Sequence, residues 1–278
     1  MRKLKLPDGE EVAALGQGTW RFGEGQRSPA EEVAALGVGI SLGMTLIDTA
    51  EMYGDGKSEK VVGDAIADVR GTVFVVSKVY PHNASRKGVV TACERSLSRL
   101  RVEAIDLYLL HWRGSVPLRE TVAGFEALRR DGKIRHWGVS NFDVDDLDEL
   151  YDLEGGANCA ADQVLYNVEA RGIEYDLLPW CERRRLPVMA YSPVGQAGRL
   201  LRSRALATVA RRHGATPAQI AIAWTLRRPD VISIPKAGEP AHVRENAAAA
   251  AIALTDEDLA EIDAAHPPPK RKQSLAML

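Results

Sequence analysis

Short apolar runs alternate with longer stretches in which apolar residues recur at helical spacing, and the alternation runs the length of the chain. The short runs predict strands at 13–16, 45–48, 73–79, 105–110, 136–139, 161–164, 188–191 and 231–234. The longer stretches predict helices near 29–42, 58–69, 85–100, 118–131, 143–153, 172–184, 203–226 and 240–250. In the third of these, Val89, Cys93, Leu97 and Leu100 fall on one stripe, the signature of a helix with one buried face. Eight strands, each followed by a helix in one uninterrupted chain, predict a closed parallel (β/α)8 barrel of the TIM type rather than an open sheet. At the start, "LKL" and "EVAAL" around "PDGE" read as a hairpin, and the N-terminal end of the barrel is its natural place.

Composition narrows this picture without changing it. A chain of 278 residues, 45% hydrophobic and 27% charged, suits a single domain spanning 1–278, and no polar stretch is long enough to be a linker. Lys+Arg total 36 against 38 Asp+Glu, with no long run of one sign, so nothing calls for nucleic acid or an anionic membrane as partner. No obligate protein partner is evident, and a monomer is expected. Cys93, Cys159 and Cys181 are far apart and odd in number, which predicts packing rather than a disulfide framework or a metal site. That usage fits a reducing cytoplasm. The N-terminus lacks the apolar segment of a signal peptide, and the longest apolar run, "AAAAAIAL", is too short to span a bilayer. The tail "HPPPKRK" predicts an extended, solvated segment leaving the barrel.

Two phosphate-binding motifs are approached and missed. "GDGKS" at 54–58 lies between a strand and a helix, but a P-loop needs glycine where Glu51 stands, so Ser58 reads as a helix N-cap. "GQGTWR" has Gly16 and Gly18 but carries Arg21 where a dinucleotide fingerprint needs its third glycine. A nicotinamide, if bound, is held in another way.

In a barrel of this kind the C-terminal strand ends share one face, and that face carries function. The second strand ends in Asp48 and leads to Tyr53, the third ends in Lys78, and the fourth is followed by His111. Singly, each is most simply a cap, a turn residue or a side chain reaching water. Together, four such coincidences would have to fall on adjacent strands. The chemistry explains the set. A phenol with a pKa of about 10 exchanges protons poorly at neutral pH, and a neighbouring ammonium lowers it. A desolvated lysine needs a carboxylate to stay charged. Asp48 would hold Lys78, Lys78 would tune Tyr53 as a general acid, and His111 would orient the reacting oxygen.

With these residues in view, the sequence resembles the aldo-keto reductase superfamily, in its bacterial form. The resemblance spans nearly the whole chain, through "GQGTW", "LIDTAEMYG", "VVSK", "IDLYLLHW", "GVSNF", "DQVLYN", "AYSP" and "IPKAG…RENAAA". It implies an NADPH-dependent reductase that converts aldehydes or ketones to alcohols, with Asp48, Tyr53, Lys78 and His111 as tetrad. It further implies Ser140, Asn141 and Gln163 at the nicotinamide carboxamide, and Tyr191 stacked on the ring. The loop from Ser192 through Gly195 to Leu200 would lie along the pyrophosphate, Lys236 and Ala237 at the 2′-phosphate, and Glu245 and Asn246 at the adenine. Trp20 and Trp112 would wall the substrate pocket.

Two departures stand out. His242 occupies a position where many NADPH-selective relatives have arginine, so the bidentate grip on a 2′-phosphate is weakened and NADH becomes an alternative. Arg113 and Gly114 follow "LLHW" where many relatives have proline, which leaves the shape of the rim open. The short stretch after Pro267 predicts an open pocket suited to small aldehydes or α-dicarbonyls. Two other functions compete: an NADPH-binding regulatory or redox-sensing subunit with little turnover, and a barrel isomerase or lyase for phosphorylated substrates. The complete tetrad argues against the first and the nicotinamide set against the second.

Overall fold

Successive residues of a strand face opposite sides, and this parity sorts the side chains into two cores. The computed structural model describes residues 1–278, the side chain of Ala197 excepted. Its barrel strands are β3 (Gln17–Gly18), β4 (Leu46–Asp48), β5 (Phe74–Val79), β6 (Ile105–Leu110), β7 (Ile134–Ser140), β8 (Cys159–Leu165), β9 (Val188–Tyr191) and β10 (Val231–Ile234). They pair in parallel in sequence order, and bridges from Leu15 to Ser233 and from Gly18 to Lys236 close the ring. Leu46, Phe74, Val76, Leu107, Met189 and Ile232 fill the interior. Their alternates, among them Ile47, Val75, Tyr108 and Val139, pack outward against the helices. The hairpin β1 (Lys3–Lys5) and β2 (Glu11–Ala13) adds Leu4, Leu6 and Val12 to the interior cluster. It therefore plugs the N-terminal end, tied down where His136 Nε2 and Glu10 Oε2 lie 2.7 Å apart.

The helices are α1 (Pro29–Ser41), α2 (Lys57–Ile66), α3 (Arg86–Leu100), α4 (Leu118–Arg130), α5 (Val144–Tyr151), α6 (Leu177–Arg184), α7 (Arg204–His213), α8 (Pro217–Leu226), α9 (Pro240–Ala248) and α10 (Asp256–Ala265). Among the described residues, no helix is long and apolar enough to cross a membrane.

Four expectations need correction. The strand predicted at 13–16 is displaced: Ala13 ends the hairpin, and the barrel strand is Gln17–Gly18. Gln17 is buried and donates to the carbonyls of Leu36 (3.2 Å) and Met44 (3.0 Å), so a polar residue occupies a strand position that apolar patterning passes over. The helix predicted at 203–226 is two. Gly214 ends α7 in the left-handed conformation, and a capping box between Thr216 and Gln219 starts α8. The helix α10 was not expected, although Thr255 and Asp258 form the same kind of box. Finally, the tail does not leave the barrel. Lys272 Nζ lies 3.0 Å from Asp176 and 3.3 Å from Asp143, and Leu275 packs against the core. Between tail and barrel rim lies a cavity of about 220 Å³ lined by Arg171, Ile173, Asp176 and Gln273.

The packing of α2 on α3 turns on Gly63, where a Cβ would stand 2.6 Å from the carbonyl oxygen of Leu100. Glycine to alanine within a helix ordinarily gains about 0.5–1 kcal/mol. Here the sign reverses, because the helices must separate to admit the methyl. Gly63→Ala is expected to lower stability in urea unfolding by about 1–3 kcal/mol. An equal or higher midpoint would show that the two helices part without cost.

Candidate active site

Strand parity carries the interior row of each strand to the barrel mouth, where it turns from apolar to polar. Asp48 pairs with Val76, and Lys78 with Leu109, so both point inward with the core residues below them. Asp48 is 2% exposed and Lys78 fully buried. An isolated charge there would be prohibitive, and the structure pairs it. Lys78 Nζ donates to Asp48 Oδ2 at 2.8 Å, to the Thr49 carbonyl at 2.9 Å and to the Tyr53 hydroxyl at 3.1 Å. The other carboxylate oxygen, Asp48 Oδ1, accepts from Gln163 Nε2 at 2.7 Å. His111 stands edge-on to Tyr53 with ring centroids 5.8 Å apart.

Tyr53 reaches this group from a tight turn. Gly54, Asp55 and Gly56 all have φ near +55° to +80°, a run of left-handed backbone that reverses the chain into α2. Asp55 takes this conformation without glycine's freedom, a local strain that holds the phenol over Lys78. The ring is half-exposed at the mouth while its hydroxyl points into the barrel.

Electrostatics corrects one expectation. Burial pushes the Tyr53 phenol above its ordinary value; Lys78 pulls the other way but does not win, and the Asp48 charge adds to the rise. The hydroxyl is therefore protonated throughout the neutral range. For Lys78, burial acts downward but Asp48, followed by Tyr53, outweighs it, and the ammonium is held above its ordinary value. Burial, with Lys78's charge in support, drives His111 down to about 2. The imidazole is then neutral in the folded protein, whereas an unfolded chain protonates it near 6.5. It binds fewer protons folded than unfolded, so its contribution to stability is lost as pH falls from about 6.5 toward 2. The His111 ring resonances are expected to show no titration between pH 5 and 8, the interval where an ordinary histidine titrates. A midpoint inside that interval would contradict the burial described here.

The strand ends on the other side of the mouth carry amides and hydroxyls. Ser140 Oγ donates to the Gln163 carbonyl at 2.7 Å. Asn141, with φ of 59°, donates to the His111 carbonyl at 3.1 Å and accepts from the Tyr191 hydroxyl at 2.9 Å. These groups offer the donors and acceptors a carboxamide requires, beside a half-exposed aromatic ring, and they fit a nicotinamide. Gln163 is shared, since its amide N–H already serves Asp48.

The remaining expected residues are more scattered. Ser192 and Gly195 have φ of 49° and 60° and form a tight loop, fixed where Asn167 Nδ2 donates to the Ser192 carbonyl at 3.0 Å. Leu200 is fully buried beneath Gly195, so its side chain belongs to the core and only its backbone is available to a ligand. Lys236 and Ala237 follow β10 on the rim, and the Lys236 ammonium lies 5.5 Å from the Phe22 ring. His242 is exposed, with Glu239 3.9 Å away. The Glu245 carbonyl accepts from Gln219, and Asn246 is buried on α9. Trp112 lies 4.9 Å from His111 and edge-on to Tyr80, whereas Trp20 is exposed under the Arg21 guanidinium. Arg113 Nη2 donates to both carboxylate oxygens of Glu149 on α5, at 2.9 and 3.0 Å.

Ser58 is not an N-cap. Gly56 begins α2, and the Ser58 hydroxyl is buried against Thr19 Oγ1 (2.7 Å) and Thr49 Oγ1 (3.0 Å), locking the ends of β3 and β4 together. Glu51, the residue that breaks the P-loop pattern, is buried and accepts from the Tyr80 backbone and Asn83. Neither role carries a sequence signal, because each depends on partners distant along the chain. Asn167 is a further residue not expected at the site, although it closes the motif "DQVLYN".

Residues 14–267 match the model of the Aldo/keto reductase family. The chain is 52% identical to methylglyoxal reductase YeaE of Escherichia coli over 271 residues, covering 96% of this chain and 95% of that one. It is 33% identical to a glyoxal reductase of Bacillus subtilis, covering 94% and 91%. Among solved structures, an aldo/keto reductase from Klebsiella pneumoniae in complex with NADP and acetate superposes with a TM-score of 0.97 at 49% identity, covering 99% of both chains.

Proposed function

The chain belongs to the aldo/keto reductase family, and from that premise we propose that it reduces small aldehydes and α-dicarbonyls of the methylglyoxal class to alcohols with NADPH. The observation that carries this reading is the single buried ammonium of Lys78, bonded at once to Asp48 and to the Tyr53 hydroxyl. A proton donor is thereby fixed at the barrel mouth. When bound, the nicotinamide supplies the hydride that attacks the carbonyl carbon.

The residues of the chain supply position and a proton. Tyr53, protonated at neutral pH, donates to the carbonyl oxygen as negative charge develops there. Lys78 stabilises the phenolate left behind, and it remains charged because Asp48 and the Thr49 carbonyl hold it. His111, neutral, can donate one N–H toward the same oxygen. Ser140, Asn141 and Gln163 would orient the carboxamide, and the Tyr191 ring would support the nicotinamide face. Trp20 and Trp112 would bound the substrate, with Tyr80 behind Trp112.

Two relatives bear on the substrate: a methylglyoxal reductase at 52% and a glyoxal reductase at 33% identity. All three cysteines are free and buried, and burial raises each thiol, that of Cys93 to about 12, so none is activated as a thiolate. This usage suits the cytoplasm, and the chain is read as one domain acting without an obligate partner. The test is consumption of NADPH, followed by its absorbance, with methylglyoxal, glyoxal and a bulky steroid ketone. A kcat/KM for the dicarbonyls well above that for the steroid is expected. Preference for the steroid would overturn the substrate class, and tight NADPH binding without turnover on any carbonyl would favour a regulatory role.

A further inference from the structure

Two loops meet at the rim beside Lys236: the segment 19–28 after β3 and the segment 235–239 after β10. Arg27 Nη2 bridges them by pairing with Glu239 Oε1. The stem of Arg27 lies against Gly238, where a Cβ would come within 3.1 Å of its Cδ and 3.2 Å of its Nε. The Arg27 side chain thus passes close to the backbone two residues from Lys236. Lys236 sits below its ordinary pKa, first through partial burial, then through Arg27 and Arg21, against the pull of Glu32 and Glu24. Arg21 and Arg27 therefore both act on the Lys236 ammonium as like charges. Glu32, whose buried carboxylate also accepts from the Gly23 backbone N–H at 2.9 Å, offsets part of that cost. His242, by contrast, stands exposed on α9, with Glu239 as its nearest acid.

We propose that Arg27 supplies the planar grip on the 2′-phosphate of NADP(H) that His242 cannot, and that Glu239 competes with the phosphate for it. The inference rests on the cofactor reading above and concerns only how this chain tells NADP from NAD. A guanidinium matches two oxygens of a phosphomonoester at once, which an imidazole does not. Together with Lys236, Arg27 presents a dianion with two cations from two different loops. Glu239 keeps Arg27 oriented across the gap, yet its charge opposes the incoming phosphate, and Arg27 must exchange one acid for the other. Such an exchange holds the preference for NADP below what two free cations would give. A 2′-hydroxyl in place of the phosphate leaves the Arg27–Glu239 pair intact, so NAD binding does not depend on Arg27.

The experiment measures binding rather than turnover, by quenching of tryptophan fluorescence with NADP⁺, NAD⁺, adenosine 2′,5′-bisphosphate and AMP. Arg27→Met, which keeps the stem on Gly238, is expected to weaken the two 2′-phosphorylated ligands by about tenfold or more, the size of one charge-assisted hydrogen bond to phosphate. NAD⁺ and AMP should stay within about twofold. Glu239→Gln is expected to tighten the 2′-phosphorylated ligands and leave the others unchanged. Equal loss for all four ligands in Arg27→Met, or unchanged NADP⁺ affinity, would overturn the proposal. So would weaker NADP⁺ binding by Glu239→Gln, which would make Glu239 a support and not a competitor. A wild-type protein that binds neither dinucleotide would overturn the cofactor reading itself, a result distinct from any of these.

Discussion

Replacing Tyr53 with phenylalanine is expected to lower turnover by roughly 10²–10⁴-fold, the contribution of a positioned general acid, while NADPH binds almost as before. The substitution removes one oxygen and little else. The ring keeps its edge-on contact with His111, and the left-handed turn at Gly54, Asp55 and Gly56 does not involve the hydroxyl. What disappears is the donor 3.1 Å from Lys78 Nζ. His111, held neutral at about 2, does not replace it as an acid at neutral pH, because it carries no second proton to give. Because burial holds the phenol above its ordinary value, the wild-type rate should also show no alkaline loss from Tyr53 near neutrality. Steady-state kinetics on methylglyoxal, with cofactor binding measured separately, checks both. Wild-type turnover in the variant would remove Tyr53 from the mechanism.

The barrel and the interior of its mouth were legible because strand parity is periodic. Once Leu46 and Phe74 are read as inward, Asp48 and Lys78 follow at even spacing, and the alternation of strand and helix brings their strands side by side. The turns between elements were not. Five non-glycine residues with positive φ lie on loops of the mouth: Arg21, Asp55, Asn141, Ser192 and Gln196. Asp and Asn tolerate that conformation better than most residues, but Arg, Ser and Gln do not announce it, and the surrounding packing imposes it. Ser58 looked like a cap because it stands at the start of the predicted helix, but Gly56 caps the helix earlier and frees Ser58 to bond Thr19. Two omissions were readable. The sequences "TPAQ" and "TDED" are capping boxes, and they mark the start of α8 and of α10. Arg27 and Glu239 stand 212 residues apart, so only the closing of the ring brings them together.

Lys78→Met separates the two things this lysine does. The variant leaves Asp48 buried with Gln163 as its remaining side-chain partner, and breaking a buried pair from one side costs about 3–5 kcal/mol. Urea unfolding is expected to register that loss. The double variant Asp48→Asn/Lys78→Met removes both charges, and most of the lost stability should return, since the net worth of such a pair against neutral partners is small. Turnover should not return. Without the ammonium, the pull that opposes burial at Tyr53 is gone, and the phenolate formed in the reaction has no cation beside it. Removing one preorganised charge donor costs about 10²–10³-fold in rate, and the double variant should stay at least that far below wild type. A double variant as unstable as the sum of the two single ones would show that Asp48 and Lys78 are not energetically coupled. Recovery of turnover together with stability would show that the pair serves the fold alone, and that Tyr53 needs no ammonium to act.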